Sequence, residues 1–444
     1  MWPLLCVMMV RACDIVSGKN ATASASSESG NNADSGSCVS CLDLLPRIVD
    51  VSFHSLPCPS QAMILRLWLL HIWLAVLTWL GPSSAYHILS DDSLRTGLPK
   101  PQEVDFNIKN GPILSPILVP RVPGTPGSTK VLKHFVDWFK LQLPDWQISF
   151  QNSTSKTPVH GNKDVPFVNF IASRDPPWST PNNVGRLTLV AHYDSKFTPS
   201  GFIGAIDSAA PCAMIMHAVK SIDEALTKKW SKIQADDFDA DFEEHTGIQV
   251  ILLDGEEAFL NWNDHDSIYG ARSLAEEWET TVNPAMSVYK SPLDSIELFV
   301  LLDLLGSGEY HPIPSWQHSS HWSYVKMATL EQRLQDLGLF TRKSENPWLN
   351  EGSKKETDVF SSYVMQDDHL PFIARGVQVL HLIPGRFPSV WHTINDDGPN
   401  LDMSTVLDWA LLTSAFAAEY LELDGYFETS KLAKKDTITS KTEL

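Results

Sequence analysis

The chain has little cysteine and little positive charge. Only six of its 444 residues are cysteines, and five of these fall within the first 62 residues. The rest of the chain, which holds Cys212 alone, therefore carries no disulfide framework. Lysine and arginine total 34 against 53 aspartates and glutamates, which gives a formal net charge of −19. This balance argues against a nucleic-acid partner and against adhesion to anionic membrane surfaces.

Long apolar runs are also scarce. Residues 67–80 form an apolar segment of fourteen residues without formal charge, whereas a membrane-spanning helix needs about 20. Arg66 precedes this segment, and the small residues Ser83 and Ala85 follow it. A short apolar run between a basic residue and a small-residue cleavage site is typical of a signal peptide, here placed inside the chain.

Two interpretations of residues 63–85 stay open. In the one we favour they are a signal peptide, and residues 1–62 are a low-complexity extension from a misassigned or alternative start. The protein is then secreted or resides in the lumen of the secretory pathway. In the other, residues 67–80 remain as the anchor of a type II membrane protein of the Golgi or endoplasmic reticulum. An N-glycosylation sequon at Asn152 agrees with secretion.

Four short apolar runs predict buried strands, at residues 187–191, 248–253, 298–302 and 377–383. Longer helical stretches separate them, which favours a mostly parallel sheet whose ligands collect at the carboxyl ends of its strands. Side chains of the kind that bind metals follow these runs. They are His192 and Asp194, then Asp207, Glu256, Glu257, Asp303 and His392.

Glu256 and Glu257 are the most informative of these residues. They are adjacent and come just after a buried strand. Burying two neighbouring carboxylates raises at least one pKa and costs several kcal/mol, unless a metal or a shared proton compensates. We therefore expect one glutamate to bind a metal and the other to move protons.

A catalytic zinc site keeps one of its four tetrahedral positions open for water or substrate. Asp207, Glu257 and His392 would supply two carboxylates and one imidazole, which leaves that position free. Each residue alone is weak evidence. Their common placement after apolar strands is not a pattern that packing produces.

From about residue 86 to 422 the chain resembles the glutaminyl-peptide cyclotransferase (glutaminyl cyclase) family, a branch of the zinc aminopeptidase clan. In general sequence character it is most similar to secreted fungal-type members. The stretches that carry this resemblance are HYDSK at 192–196, GAIDSAAPCAM at 204–214, DGEEAF at 254–259, DSIYGAR at 266–272, LLDLLG at 301–306, DDHLPF at 367–372, VLHLIP at 379–384 and FPSVWHT at 387–393.

The resemblance implies a three-layer α/β/α fold with a central mixed, mostly parallel β-sheet. The catalytic domain is expected at residues 86–425, followed by a polar tail at residues 426–444. It implies one zinc ion per chain, bound by Asp207, Glu257 and His392. The implied activity is the conversion of N-terminal Gln in peptides or proteins to pyroglutamate, with release of ammonia, and we expect a monomer.

The resemblance also implies roles for individual residues. Glu256 would be the proton shuttle, and Asp303 and Asp367 would form an acidic hydrogen-bonded pair near the metal. Four further residues match positions that line the substrate pocket, namely Trp262, His381, Phe387 and Trp391.

Two other functions compete with this one. A zinc aminopeptidase of the same clan uses an equivalent ligand set, including positions that match His192 and Asp303, around two metal ions, and its glutamate activates water. Three sequence features resemble those of cyclases instead, namely Trp262, the Trp391-His392 pair and the stretch at 367–372. The third possibility is a binding domain without catalysis, and the presence of Glu256 and Glu257 argues against it.

One position departs from the family. Secreted animal members carry a cysteine directly before the His-Tyr-Asp segment, paired with the cysteine at the Cys212 position. Here that residue is Ala191. Cys212 is therefore predicted to be a buried free thiol, and the departure concerns stability rather than catalysis.

Overall fold

The computed structural model describes residues 88–236, 246–342, 346–355, 357–360 and 365–428, which belong to one compact unit at residues 85–444. The predictions for residues 1–62 and 63–85, and for most of the tail, lie outside this part of the chain. Tyr426 and Phe427 pack against the core. No helix in the described ranges has the length and apolar character needed to cross a bilayer.

A six-stranded mixed sheet forms the centre of the fold. Its strands are β1 (Gln147–Lys156), β2 (Asp164–Arg174), β3 (Arg186–His192), β4 (Gly247–Leu253), β5 (Ile296–Leu302) and β6 (Val379–Leu382), in the order β1-β2-β4-β3-β5-β6. The pairs β3–β4, β3–β5 and β5–β6 are parallel, and the pairs β1–β2 and β2–β4 are antiparallel. The predicted mixed, mostly parallel sheet is thus confirmed.

Helices cover both faces of this sheet. The long helices are α1 (Pro126–Gln142), α2 (Ala210–Asp236), α3 (Tyr269–Thr280), α4 (His321–Asp336) and α5 (Met403–Tyr420). Alternate residues of β5 belong to different apolar clusters, with Val300 in the cluster that contains α2 and α5 and Leu301 in the cluster that contains α3. Strands covered on both faces need continuous apolar sequences, which is why β3 and β4 could be predicted.

All four predicted strands are present, as β3, β4, β5 and β6. The sequence patterns missed β1 and β2, which form an antiparallel hairpin at one edge of the sheet. β1 is an edge strand in which most residues are exposed, so its sequence contains no continuous apolar run. Asn152, the residue of the glycosylation sequon, is exposed on this strand.

Phe170 of β2 anchors this hairpin to α1. Its side chain is fully buried, and its ring lies 5.1 Å from that of Phe139 and 5.8 Å from that of Phe135. We expect Phe170→Ala to lower the free energy of unfolding by about 3–5 kcal/mol, the usual cost of removing a buried aromatic ring. Chemical denaturation measures this loss. The matched control is Phe150→Ala, because Phe150 is 44% exposed and should change stability far less; equal losses would contradict the assigned packing.

His217 of α2 makes stability depend on pH. Burial, followed by the nearby charge of Lys220, lowers its pKa from 6.5 to about 4. Between these pH values the imidazole of His217 binds a proton in the unfolded chain but not in the native state. The contribution of this group to the free energy of unfolding is therefore complete above pH 6.5 and is lost as the pH falls towards 4. Since one pH unit corresponds to 1.36 kcal/mol, the loss is about 3 kcal/mol.

Denaturation curves recorded at several pH values for wild type and His217→Gln test this expectation. The substituted protein should lack this part of the acid dependence, because glutamine does not titrate. Parallel stability profiles for the two proteins would show that His217 is not the responsible group.

Candidate metal centre and active site

The site lies where the parallel strands end. Asp194 comes two residues after β3, Glu256 and Glu257 lie in the loop after β4, and Asp303 directly follows β5. The backbone N–H groups of Glu256 and Glu257 both donate to the Asp194 carboxylate, over 3.0 and 3.2 Å. Asp194 therefore holds the loop that carries the two glutamates against the end of β3.

Asp207, Glu257 and His392 converge as predicted. One potential ligand atom from each lies within 4.8 Å of the others. His392 Nε2 is 3.5 Å from Asp207 Oδ2 and 3.4 Å from Glu257 Oε2. Among the described residues, the buried atoms Asp207 Oδ2 and Glu257 Oε1 have no hydrogen-bond partner. Unpartnered carboxylate oxygens beside an imidazole are suitable ligands for zinc, so the residues present fit a metal ion.

A second group of potential ligands adjoins the first. His192 Nε2 lies 2.9 Å from Asp207 Oδ1 and 3.4 Å from Asp303 Oδ1. Asp207 thus belongs to both groups, and the three residues of the second group could also hold an ion. Hydrogen bonding to Asp194, Asp207 and Asp303 raises the pKa of His192 well above its usual value, although burial opposes this shift.

The adjacent carboxylates have opposite pKa shifts. Burial raises the pKa of Glu256 well above its usual value, and the charges of Glu257 and Asp367 raise it further. Burial alone would also raise the pKa of Glu257, but the His392 imidazole and the Lys196 ammonium lower it to about 2. Neighbouring carboxylates cannot both ionise easily, so the environment leaves Glu257 charged and lets Glu256 carry a proton.

Asp367 and His381 form a buried pair beside this centre, with His381 Nε2 2.6 Å from Asp367 Oδ2. Burial raises the pKa of Asp367 well above its usual value, and Asp303 adds to the increase. Burial lowers the pKa of His381 to about 3. Asp303 Oδ1 accepts hydrogen bonds from the Ser208 hydroxyl and the backbone of Leu304. The hydrogen bond expected between Asp303 and Asp367 stays a prediction.

A cavity of about 350 Å³ opens onto these groups. Predicted site residues that line it are Asp207, Glu256, Trp262, Asp303, Phe387, Trp391 and His392. Three predicted site residues are not among its lining residues, namely Glu257, Asp367 and His381. The His381 side chain contacts Asp367. A larger cavity of about 530 Å³ lies at the amino-terminal ends of β3 and β4, where Arg186 and Gln249 line it. None of the predicted site residues lines this cavity.

Aromatic rings form one wall of the smaller cavity. The Trp391 ring stacks on that of His392 with centroids 3.7 Å apart, and the Phe387 ring lies 4.7 Å from Trp391. Trp262 Nε1 donates to Gln366 Oε1 over 2.7 Å. These contacts hold the rings at a cavity that Asp207, Glu256 and Asp303 also line.

Lys196 is a site residue to which sequence reasoning gave no role. Its Nζ lies 3.1 Å from Glu257 Oε2, and it lines the cavity. The only signal was its position in the HYDSK stretch, four residues after His192. Its charge offsets part of the negative charge around the metal centre.

The prediction for Cys212 is confirmed. Its thiol is free and buried, and it donates to the backbone oxygen of His192 over 3.2 Å. Burial raises the pKa of this thiol to about 12. The group is therefore protonated at neutral pH and contributes packing beside β3.

Several known proteins are similar to this chain in sequence. Residues 176–417 match the model of peptidase family M28. Bovine glutaminyl-peptide cyclotransferase is 35% identical over 322 residues, which cover 70% of this chain and 81% of that protein. The Drosophila melanogaster glutaminyl-peptide cyclotransferase is 36% identical and covers 69% of this chain and 78% of its own.

A solved structure is similar as well. The crystal structure of Macrostomum lignano glutaminyl cyclase superposes with a TM-score of 0.62 at 28% identity, covering 77% of this chain and 97% of that one. The predicted resemblance and the three-layer α/β/α fold are therefore confirmed. The chain belongs to the glutaminyl-peptide cyclotransferase branch of peptidase family M28.

Proposed function

We propose that this protein is a zinc-dependent glutaminyl-peptide cyclotransferase, which converts N-terminal Gln of peptides and proteins to pyroglutamate and releases ammonia. The observation that carries the proposal is Glu256, a buried carboxylate of raised pKa that opens onto the cavity beside Asp207, Glu257 and His392. The membership of this chain in the glutaminyl-peptide cyclotransferase branch supports the same activity.

Asp207, Glu257 and His392 would hold one zinc ion, since their unpartnered oxygens and imidazole nitrogen are suitable ligands. When bound there, zinc would supply a Lewis acid for the γ-carboxamide oxygen of the substrate glutamine. Lys196 keeps Glu257 in place through its contact with Oε2.

Glu256 carries the proton in this proposal. Its carboxylate accepts a proton from the α-amine of the substrate as the amine attacks the γ-carbonyl carbon. It then returns a proton to the departing ammonia. Burial raises the pKa of Glu256, so its carboxylate takes up a proton more readily than an exposed one, as a group that accepts and then returns a proton requires.

Asp303 and Asp367 orient the amine and the leaving group, and His381 fixes Asp367 from the buried side. Trp262, Phe387 and Trp391 enclose the glutamine side chain in the cavity. The nucleophile and the electrophile belong to one residue, so holding that residue in its ring-closing rotamer supplies much of the rate.

A zinc aminopeptidase is the alternative, and one observation favours it. His192, Asp207 and Asp303 could hold a second ion next to the first, as a two-metal hydrolase requires. The similarity to cyclotransferases over 70% of the chain favours the cyclase.

Mass spectrometry of two peptides distinguishes these functions. One peptide begins with Gln and the other with Leu, and each is incubated with the purified protein with and without a zinc chelator. Chelator-sensitive loss of ammonia from the Gln peptide alone supports the cyclase. Release of free Leu supports the aminopeptidase, and no change in either peptide contradicts both enzymes.

We also propose that the protein acts in the secretory pathway or outside the cell. The signal-peptide pattern at residues 63–85 and the exposed position of Asn152 on β1 support this location.

A further inference from the structure

Arg121 is fully buried beside the loop that carries Asp207. Its guanidinium donates to the backbone oxygens of Tyr193 and Ile203, to that of Gly204 over 2.9 Å and to that of Asp207 over 3.5 Å. The arginine thus connects the end of β3 to residues 203–208, which we call the Asp207 loop.

Burying a guanidinium costs several kcal/mol unless its charge and its donors are compensated. Burial lowers the pKa of Arg121, and the charges of Asp194, Asp207 and Asp396 are among those that oppose this shift. The hydrogen bonds of its guanidinium within the described residues go to backbone oxygens. An arginine placed in this way determines the conformation of the backbone around it.

Asp396 accepts hydrogen bonds from N–H groups of the same loop. Its Oδ1 accepts from the Ile206 N–H over 2.7 Å, and its backbone oxygen accepts from the Ala205 N–H over 3.1 Å. Asp396 lies four residues after His392. The Asp207 loop is therefore tied directly to the segment that carries His392.

The loop itself is tightly folded. Gly204 has a φ of 62°, in the left-handed region, and a Cβ at this position would lie 2.1 Å from the backbone oxygen of Asp207. Only glycine is accommodated there. The fold brings the oxygens of Ile203, Gly204 and Asp207 to one side, where Arg121 binds them.

We propose that Arg121 and Asp396 are positioning residues that fix Asp207 and His392 relative to each other for metal binding. This inference rests on the proposed function, in which Asp207 and His392 are zinc ligands. Arg121 holds the oxygens of the loop, Asp396 holds its N–H groups, and each ligand is attached to this framework. Loosening it weakens zinc binding without removing a ligand, and outer residues of metal sites commonly contribute 10–100-fold in affinity.

The experiment compares Arg121→Lys with Arg174→Lys in the full chain. Arg174 is a matched control, because it is 7% exposed and its guanidinium binds Asp223, Asp145 and Thr227, none of which belongs to the site. Both substitutions keep the charge and remove the guanidinium fork. Zinc affinity, measured by competition with a chromogenic chelator, should fall about 10–100-fold in Arg121→Lys and less than about twofold in Arg174→Lys.

Asp396 provides a second test that does not depend on the arginine variant folding. Asp396→Ala removes the acceptor for Ile206 and should weaken zinc binding, whereas Asp396→Asn keeps a side-chain oxygen and should retain most of the affinity. The melting temperature of each variant is also measured with and without zinc. A residue whose role is confined to folding would lower the two melting temperatures equally.

The outcomes separate this inference from the proposed function. The positioning role is overturned if Arg121→Lys and Arg174→Lys change zinc affinity equally. It is also overturned if Asp396→Ala and Asp396→Asn change zinc affinity equally. Either result would leave the ligand assignment standing. Absence of zinc binding by the wild-type protein would overturn the proposed function together with this inference.

Discussion

Replacing Glu256 by Gln is expected to reduce turnover of a Gln peptide by about 10²–10⁴-fold, the range that general acid–base groups contribute. Glutamine has nearly the size of glutamate but cannot accept the proton of the attacking amine. Glu256 is not one of the three proposed ligands, so zinc occupancy should stay at the wild-type level. Ammonia release and elemental analysis of the same purified sample measure both quantities.

Glu276→Gln is a matched control for this substitution. It removes the same charge from an exposed position on α3, and both turnover and zinc content should remain unchanged. Wild-type turnover in Glu256→Gln would eliminate this residue as the proton carrier. Loss of zinc from Glu256→Gln would instead make Glu256 a ligand.

The opposite pKa shifts of two adjacent glutamates follow from where their side chains lie. Glu257 contacts Lys196 and His392, which favour its ionised form. Glu256 is buried among other carboxylates, which favours its protonated form. The sequence could predict that the two glutamates differ in protonation, because two carboxylates after a buried strand cannot both remain charged without compensation. It could not predict which glutamate binds the metal without the family resemblance.

Local patterns explain which parts of the fold were predictable. β3, β4 and β5 are buried on both faces and have continuous apolar sequences, so the chain itself marks their ends and the polar residues that follow. β1 lies at the sheet edge, where only one residue is buried, and its mostly polar sequence resembles a loop. An edge strand that is mostly exposed, as β1 is, carries little of the apolar signal on which such predictions depend.

Arg121 could not be assigned a role for a different reason. The carbonyl groups that it binds lie 72 to 86 residues further along the chain, and backbone oxygens have no side-chain identity that a sequence pattern could reveal. His381 was placed in the pocket by resemblance, but its position against Asp367 depends on how β6 meets a loop fourteen residues before it. Contacts of this kind become visible only in the folded chain.

Replacing a proposed ligand should have a larger effect on zinc than any outer substitution. Glu257→Gln and His392→Ala each remove one of only three protein ligands. Changes in the outer residues of metal sites already cost 10–100-fold in affinity, so we expect each ligand substitution to weaken zinc binding by more than about 100-fold. Elemental analysis after dialysis should show zinc-depleted protein, and turnover should fall in proportion to occupancy.

His265→Ala is the control for His392→Ala, because His265 is exposed and is not one of the proposed ligands. Full zinc occupancy in Glu257→Gln or His392→Ala would show that the ligand set is wrong. His192→Ala then determines the number of ions, since His192 belongs only to the second group of potential ligands. If wild type binds one zinc ion and His192→Ala keeps it, the centre has the composition that a cyclase requires. If wild type binds two and His192→Ala binds one, the neighbouring group also holds a metal and the two-metal aminopeptidase gains direct support.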